Sequence, residues 1–260
     1  VNVNGDAPFV SSYTLPTNKT YYNGEILNFD LVFSEAVDVL GLPTLPLDIG
    51  GVTETAIYFS GTGTNTLRFR YIVKTGDKDT DGLTIGPLIG LIGASIRDAG
   101  GEDILADHNP PLTPYIQVNG DLPTIVSITP PADNSYTTGQ NLDFIVEFSE
   151  NVNVTNLPSV GLTLDSGTVA ATYLSGAGSN NLTFRYIIQA ADNDNTGPAF
   201  SNTEIDLNTG SIISAATSQN ATLNYNGTEP DLTNILINEI TATQLVVTNG
   251  PVDTYENTVI

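Results

Sequence analysis

Asp77, Asp79 and Asp81 occupy alternate positions ahead of Gly82, in the run Gly-Asp-Lys-Asp-Thr-Asp-Gly. That spacing lets one loop turn three carboxylates toward a single hard cation, and the cation suited to such oxygen donors is calcium. An EF-hand would also carry a glutamate about six positions beyond its glycine; the corresponding residue here is Leu88. Further ligands must therefore come from elsewhere in the chain. Competing chemistries have little to work with. The chain has one histidine, His108, and no cysteine, so thiolate nucleophiles, disulfides and Cys-based zinc sites are impossible. A Ser-His-Asp triad would rest on His108 alone, in the loop-like run Asp-His-Asn-Pro-Pro. Nothing among the acids selects one pair as a glycosidase acid and base. The Gly-rich stretches Ser60–Asn65 and Ser175–Asn180 lack a following helix and lysine, so they read as hairpin connections rather than phosphate loops.

The charge balance agrees with this reading. Seven Lys+Arg stand against 29 Asp+Glu in 260 residues, a net charge of −22. Such a surface cannot displace counterions from nucleic acid, and it is repelled by anionic membranes. With 40% hydrophobic residues the chain has enough apolar matter to fold, and its length suggests about two domains. No apolar run is long enough to cross a bilayer as a helix. The sequence contains no methionine, and Val1 is read as lying within a longer polypeptide.

Stepping the sequence against itself reveals what must position the acids. Residues 6–82 and 121–197 align without gaps, with about 32 identities over about 77 positions. That level of identity makes the chain a tandem array. Val1–Asn4 resembles Ile116–Asn119 and reads as the last strand of a preceding repeat. The expected domains are residues 5–119 and 120–238, with 239–260 as the start of a further repeat or a tail. Within each repeat the pattern is β. Leu27, Phe29, Leu31 and Phe33 alternate with polar residues, as do Leu142, Phe144, Val146 and Phe148. Leu67, Phe69, Tyr71 and Val73, and Leu182, Phe184, Tyr186 and Ile188, give a second such strand, with Arg68, Arg70 and Arg185 outward. The expected strands of the first repeat are A near Pro8–Thr14, B Leu27–Phe33, C Val37–Leu45, D Thr55–Phe59, E Leu67–Val73, F near Ile89–Ile96 and G Pro114–Val118. Seven or so short strands in about 115 residues predict an immunoglobulin-like sandwich, and the chain as a whole an all-β extended array of such domains.

The combined strings Phe-Ser-Glu-x-Val-x-Val, Tyr-x-Ser-Gly-x-Gly-x-Asn-x-Leu-x-Phe-Arg-Tyr and Gly-Asp-x-Asp-x-Asp-Gly resemble the Ig-like, cadherin-like tandem repeats of giant secreted bacterial surface proteins, adhesins of gliding bacteria among them. The resemblance covers about residues 5–238. It implies an extracellular, non-enzymatic segment on the bacterial cell surface, with neighbouring repeats as its first partners. The second repeat departs from the pattern where Thr196 stands in place of the third aspartate.

In this topology the Asp77–Asp81 loop joins strands E and F, beside the exit of strand G at Asn119-Gly120-Asp121, and the Phe-Ser-Glu run is the B–C loop. The expectation is a calcium joint between domains, built by Asp77, Asp79 and Asp81 with Asp121 and Glu150. Asp6 and Glu35 would face an upstream neighbour, and Asp192 and Asp194 a downstream one. Glu35 and Glu150 have an alternative, an ion pair with Arg70 or Arg185. The acids Asp98, Glu102, Asp103 and Asp107 form either another site or a plain acidic loop. The functional expectation is a stalk of a large adhesin stiffened by calcium. Two alternatives are a module that grips a glycan or protein, and a self-assembling fibre or surface layer joined through Val1–Asn4 or Glu239–Ile260.

Overall fold

The computed structural model describes residues 6–238, and the segments assigned to flanking repeats, 1–4 and 239–260, lie outside the described residues. By compactness the chain divides into two units. The first takes residues through Thr124 with Phe148–Val154 and Ser211–Thr222; the second takes Ile125–Glu147, Thr155–Gly210 and residues from Leu223. Among the described residues all regular structure is β.

The first set of strands is β1 (Val10–Thr14), β2 (Lys19–Tyr22), β3 (Ile26–Leu40), β4 (Thr44–Ile49), β5 (Val52–Ser60), β6 (Thr64–Ile72), β7 (Lys78–Asp79), β8 (Thr84–Ile85), β9 (Ser95–Asp98) and β10 (Ile116–Asn119). A seven-stranded sheet runs β1-β3-β6-β5-β4-β8 with β9 on β3, and a three-stranded sheet runs β2-β10-β7. The strands of the large sheet pair antiparallel. The second set is β11 (Ile125–Thr129), β12 (Asn134–Tyr136), β13 (Asn141–Thr155), β14 (Ser159–Leu164), β15 (Gly167–Ser175), β16 (Ser179–Ile187), β17 (Ala199–Phe200), β18 (Ser211–Ser214) and β19 (Ile235–Ile237). It reproduces the order as β11-β13-β16-β15-β14-β17 with β18 on β13, and a small sheet of β12 and β19. The sequence offset carries into the strands: Val10 to Ile125, Ile26 to Asn141 and Thr64 to Ser179 are each a step of 115.

Alternation builds the core. Leu27, Phe29, Leu31 and Phe33 of β3 and Leu67, Phe69 and Tyr71 of β6 face inward and are buried, joined by Tyr21, Ile116 and Val118 of the small sheet. These two faces pack as a β-sandwich. The same positions in the second set, Leu142, Phe144 and Val146 with Leu182 and Phe184, are also buried. Each fully buried side chain of this size contributes about 1.5–3 kcal/mol.

One expectation fails here. The Phe-Ser-Glu run is not a B–C turn, because β3 continues through it for 15 residues. The strand changes partner instead. On one side Asp30–Phe33 pairs with β1 and Val37–Leu40 with β9; on the other the strand stays on β6 from Ile26 to Val37, across a register shift between Val32 and Val37. Ser34 absorbs the irregularity by clasping the approach to β1: its N–H donates to Phe9 O at 2.9 Å and its Oγ accepts Phe9 N–H at 3.2 Å. Ser149 and Thr124 repeat both bonds, at 2.9 and 3.1 Å. Glu35 and Glu150 therefore sit within strands rather than in a B–C loop.

Two turns require glycine. Gly82 has φ +105°, and a Cβ there would lie 2.4 Å from Thr113 O. Gly24, in the turn between β2 and β3, has φ +78° but open space around it. Gly24→Ala should cost about 1–2 kcal/mol from the left-handed backbone alone. Gly82→Ala should cost distinctly more, measured by urea denaturation, since backbone must also move aside.

Candidate metal centre

The acidic loops are held by hydrogen bonds from the chain itself. Asp77 folds back onto the end of β6: its Oδ2 accepts the Tyr71 hydroxyl at 2.6 Å and the Lys74 N–H at 2.8 Å. Its own carbonyl accepts the Gly120 N–H at 2.6 Å. Asp79 is buried, and its two oxygens are divided between Gly50 N–H at 2.7 Å and Gly82 N–H at 2.6 Å. Asp79 thus ties the β4–β5 hairpin to the turn after β7. Asp121 is exposed and paired with Lys78 at 2.6 Å. The Asn119-Gly120-Asp121 segment is therefore anchored at Gly120 by backbone and at Asp121 by an ion pair.

The second repeat carries the same construction. Asp192 accepts the Tyr186 hydroxyl at 2.5 Å and the Gln189 N–H at 2.7 Å. Asp194 is buried and accepts from Asp165 N–H at 3.2 Å and Thr196 N–H at 3.0 Å. Thr196, which replaces the third aspartate, is thus compatible with the same closed loop. Alternation marks Tyr71 and Tyr186 only as inward strand residues; the signal for their bonds to Asp77 and Asp192 is the spacing Tyr-x5-Asp, which recurs in both repeats while the third aspartate does not.

The remaining acids are dispersed. Glu150 accepts from Ser214 Oγ at 3.2 Å, and Glu35 lies half-buried in β3. Neither pairs with Arg70 or Arg185; Asp30 takes Arg68 and Asp143 takes Arg185, each through two bonds of 2.6–2.7 Å. Asp98 is buried and caps its own turn by accepting Glu102 N–H at 2.7 Å, while Asp103 pairs with Arg97. Asp6 is exposed. Asp79 and Asp81 line, with Asp48, a polar cleft of about 420 Å³, where Asp48 accepts the Gly51 N–H. Among the described residues no three acidic or histidine side chains converge closely enough to hold a metal ion. The carboxylates as arranged do not form a calcium cage: Asp77 and Asp79 face N–H and O–H donors, and Asp121 faces an ammonium group.

Burial and the neighbouring carboxylates push the Tyr71 and Tyr186 hydroxyls well above the ordinary phenol range; in each case burial is the larger cause, followed by the hydrogen bond to Asp77 or Asp192. Burial likewise pushes Tyr225 to about 12. His108 is buried. Its Nδ1 meets the Tyr13 hydroxyl at 2.9 Å, and its Nε2 has no partner. Burial lowers its pKa, opposed by Asp107. Among the described residues no carboxylate is hydrogen-bonded to the ring.

Tyr71→Phe and Tyr186→Phe should each cost about 1–2 kcal/mol in urea denaturation, because each leaves a carboxylate oxygen with one donor fewer. EDTA and millimolar calcium should give the same melting temperature; a rise with calcium would mean that these bonds open to admit the ion. The raised tyrosine pKa values stabilise the fold fully below pH 10 and lose that contribution as pH climbs through the folded values. For His108 the sign reverses. Its depressed pKa stabilises the fold above about pH 6.5 and ceases to do so as pH falls through the folded value, so His108→Phe should flatten the acid limb of a stability–pH curve. No protein-family model matches this chain, and no curated protein matches it in sequence.

Proposed function

We propose that the chain is a tandem pair of immunoglobulin-like spacer repeats from a long extracellular protein of the bacterial surface, structural rather than catalytic. The observation that carries this reading is mechanical. In each repeat an early strand pairs in parallel with the last: Lys19–Tyr22 with Ile116–Asn119, and Asn134–Tyr136 with Ile235–Ile237. Pulling the ends of such a unit apart draws the two strands past one another along their length. All bonds of the ladder are then loaded together in shear, instead of opening one after another like a zipper. A domain that transmits tension benefits from this arrangement; an isolated binding domain gains nothing from it.

Duplication supports the same reading. Strands, serine clasps and Tyr-Asp locks recur at one offset, as expected where length is being added. The resemblance of the repeated strings to surface-adhesin repeats adds the extracellular setting. Calcium, expected at the joints from the sequence, would have to enter the Asp48, Asp79 and Asp81 cleft by opening the bonds of Asp79 to Gly50 and Gly82, and the comparison of melting temperatures in EDTA and calcium is its test.

Single-molecule stretching provides the test. Two unfolding events are expected, each lengthening the chain by about 40 nm, the reach of about 115 extended residues. Gln117→Pro removes a donor from the first clamp and should weaken one event while leaving the other unchanged. Equal forces before and after that substitution would sink the mechanical reading.

A further inference from the structure

Six of the seven cationic side chains are ion-paired: Lys19 with Glu25, Arg68 with Asp30, Lys74 with Glu54, Lys78 with Asp121, Arg97 with Asp103 and Arg185 with Asp143. Arg70 is the exception among the described residues, in a chain whose net charge is −22. Its Nε donates to the neutral Asn28 at 3.1 Å, and its guanidinium lies 3.4 Å from the centre of the Phe59 ring. Among the described residues no acceptor meets its two Nη groups. Around it is a groove of about 540 Å³ on the outer face of β5 and β6, lined by Ile57, Phe59 and Ile72, each about half exposed, and bounded by the Glu54–Lys74 pair.

We infer that this groove is a binding site for a carboxylate-bearing sugar, a uronate. A guanidinium held over an aromatic ring, with two Nη donors unused, matches a carboxylate in a paired geometry. Ile57 and Ile72 offer the apolar surface that the C–H face of a pyranose covers, and Thr55 and Glu54 offer polar partners for hydroxyls. Both strands are interior to the sheet, with neighbours on either side. No backbone edge is available to take up an extended acidic peptide, so side chains alone must read the ligand. The overall negative charge opposes a polyanion and leaves a singly charged ring as the fitting occupant.

The second repeat is an internal control. Arg185 occupies the position of Arg70, but Asp143 stands where Asn28 does and neutralises it. Leu174 replaces Phe59, and Thr172 replaces Ile57. The site is a property of the first repeat alone.

Amide chemical shifts of the full chain titrated with sodium glucuronate test this assignment. Saturable shifts are expected on β5 and β6 around Ile57, Phe59, Arg70 and Ile72, with none at Thr172, Leu174 or Ile187, and glucose should bind at least about tenfold more weakly. Arg70→Gln should weaken glucuronate by a similar factor. Asn28→Asp should do so as well while keeping the fold, because it builds into the first repeat the ion pair that the second already holds. The site is refuted if glucuronate causes no saturable shifts, if glucose binds as well, if an acidic tripeptide binds more tightly, or if Arg70→Gln and Asn28→Asp leave the affinity unchanged.

Discussion

Each repeat depends on one strand that serves two pairings. In β3 the four inward apolar residues Leu27 to Phe33 are held against β6, and after Ser34 the strand carries on to meet β9. Had the chain turned at Ser34, the inward face of Val37 and its pairing with Asp98 would not follow from those of Phe33. The bulge lets the strand change partners without reversing, and Ser34 takes up the backbone groups that the irregularity exposes. A strand with a period of two admits no slip of one residue without turning its apolar side chains to water. The core of each repeat thus fixes the register, and the register fixes where every acid comes to lie.

This explains which parts were legible in the sequence. Alternation made Leu27–Phe33 and Leu67–Tyr71 readable as strands, and the Ser60–Asn65 and Ser175–Asn180 stretches as hairpin connections, because burial and turn chemistry act on near neighbours. The run Phe-Ser-Glu reads as a turn when taken alone; only the pairing of Ser34 with Phe9 makes it strand, and that pairing spans 25 residues. The parallel partnership of β2 with β10 was equally hidden, since it joins segments about a hundred residues apart.

The acids illustrate a second limit. Their positions were plain, and their alternate spacing invited a cation. What spacing could not convey was competition from donors close at hand: the Tyr71 hydroxyl, the Gly50 and Gly82 amides and the Lys78 ammonium group. A carboxylate turned toward such groups acts as a tie between loops. Repeat comparison did contain the hint, since Tyr71 and Asp77 recur as Tyr186 and Asp192 whereas Asp81 does not recur.

The Asp–Arg pairs on β3 and β6, and on their counterparts β13 and β16, bear on how a tandem array folds. The first repeat places its fully bonded pair at Asp30 and Arg68, and the second places its own one step along the ladder, at Asp143 and Arg185. Suppose β3 were to seat itself on β16 during synthesis. Asp30 would then face Thr183, while β13 seated on β6 would leave Arg68 opposite Ile145. The first exchange discards a salt bridge and leaves Arg185 opposite the neutral Asn28, whereas the second moves the bridge of β6 from Arg68 to Arg70, which would meet Asp143. Adjacent repeats of similar sequence are prone to trade strands, and this shift of a single pair gives β3 a reason to close on its own unit.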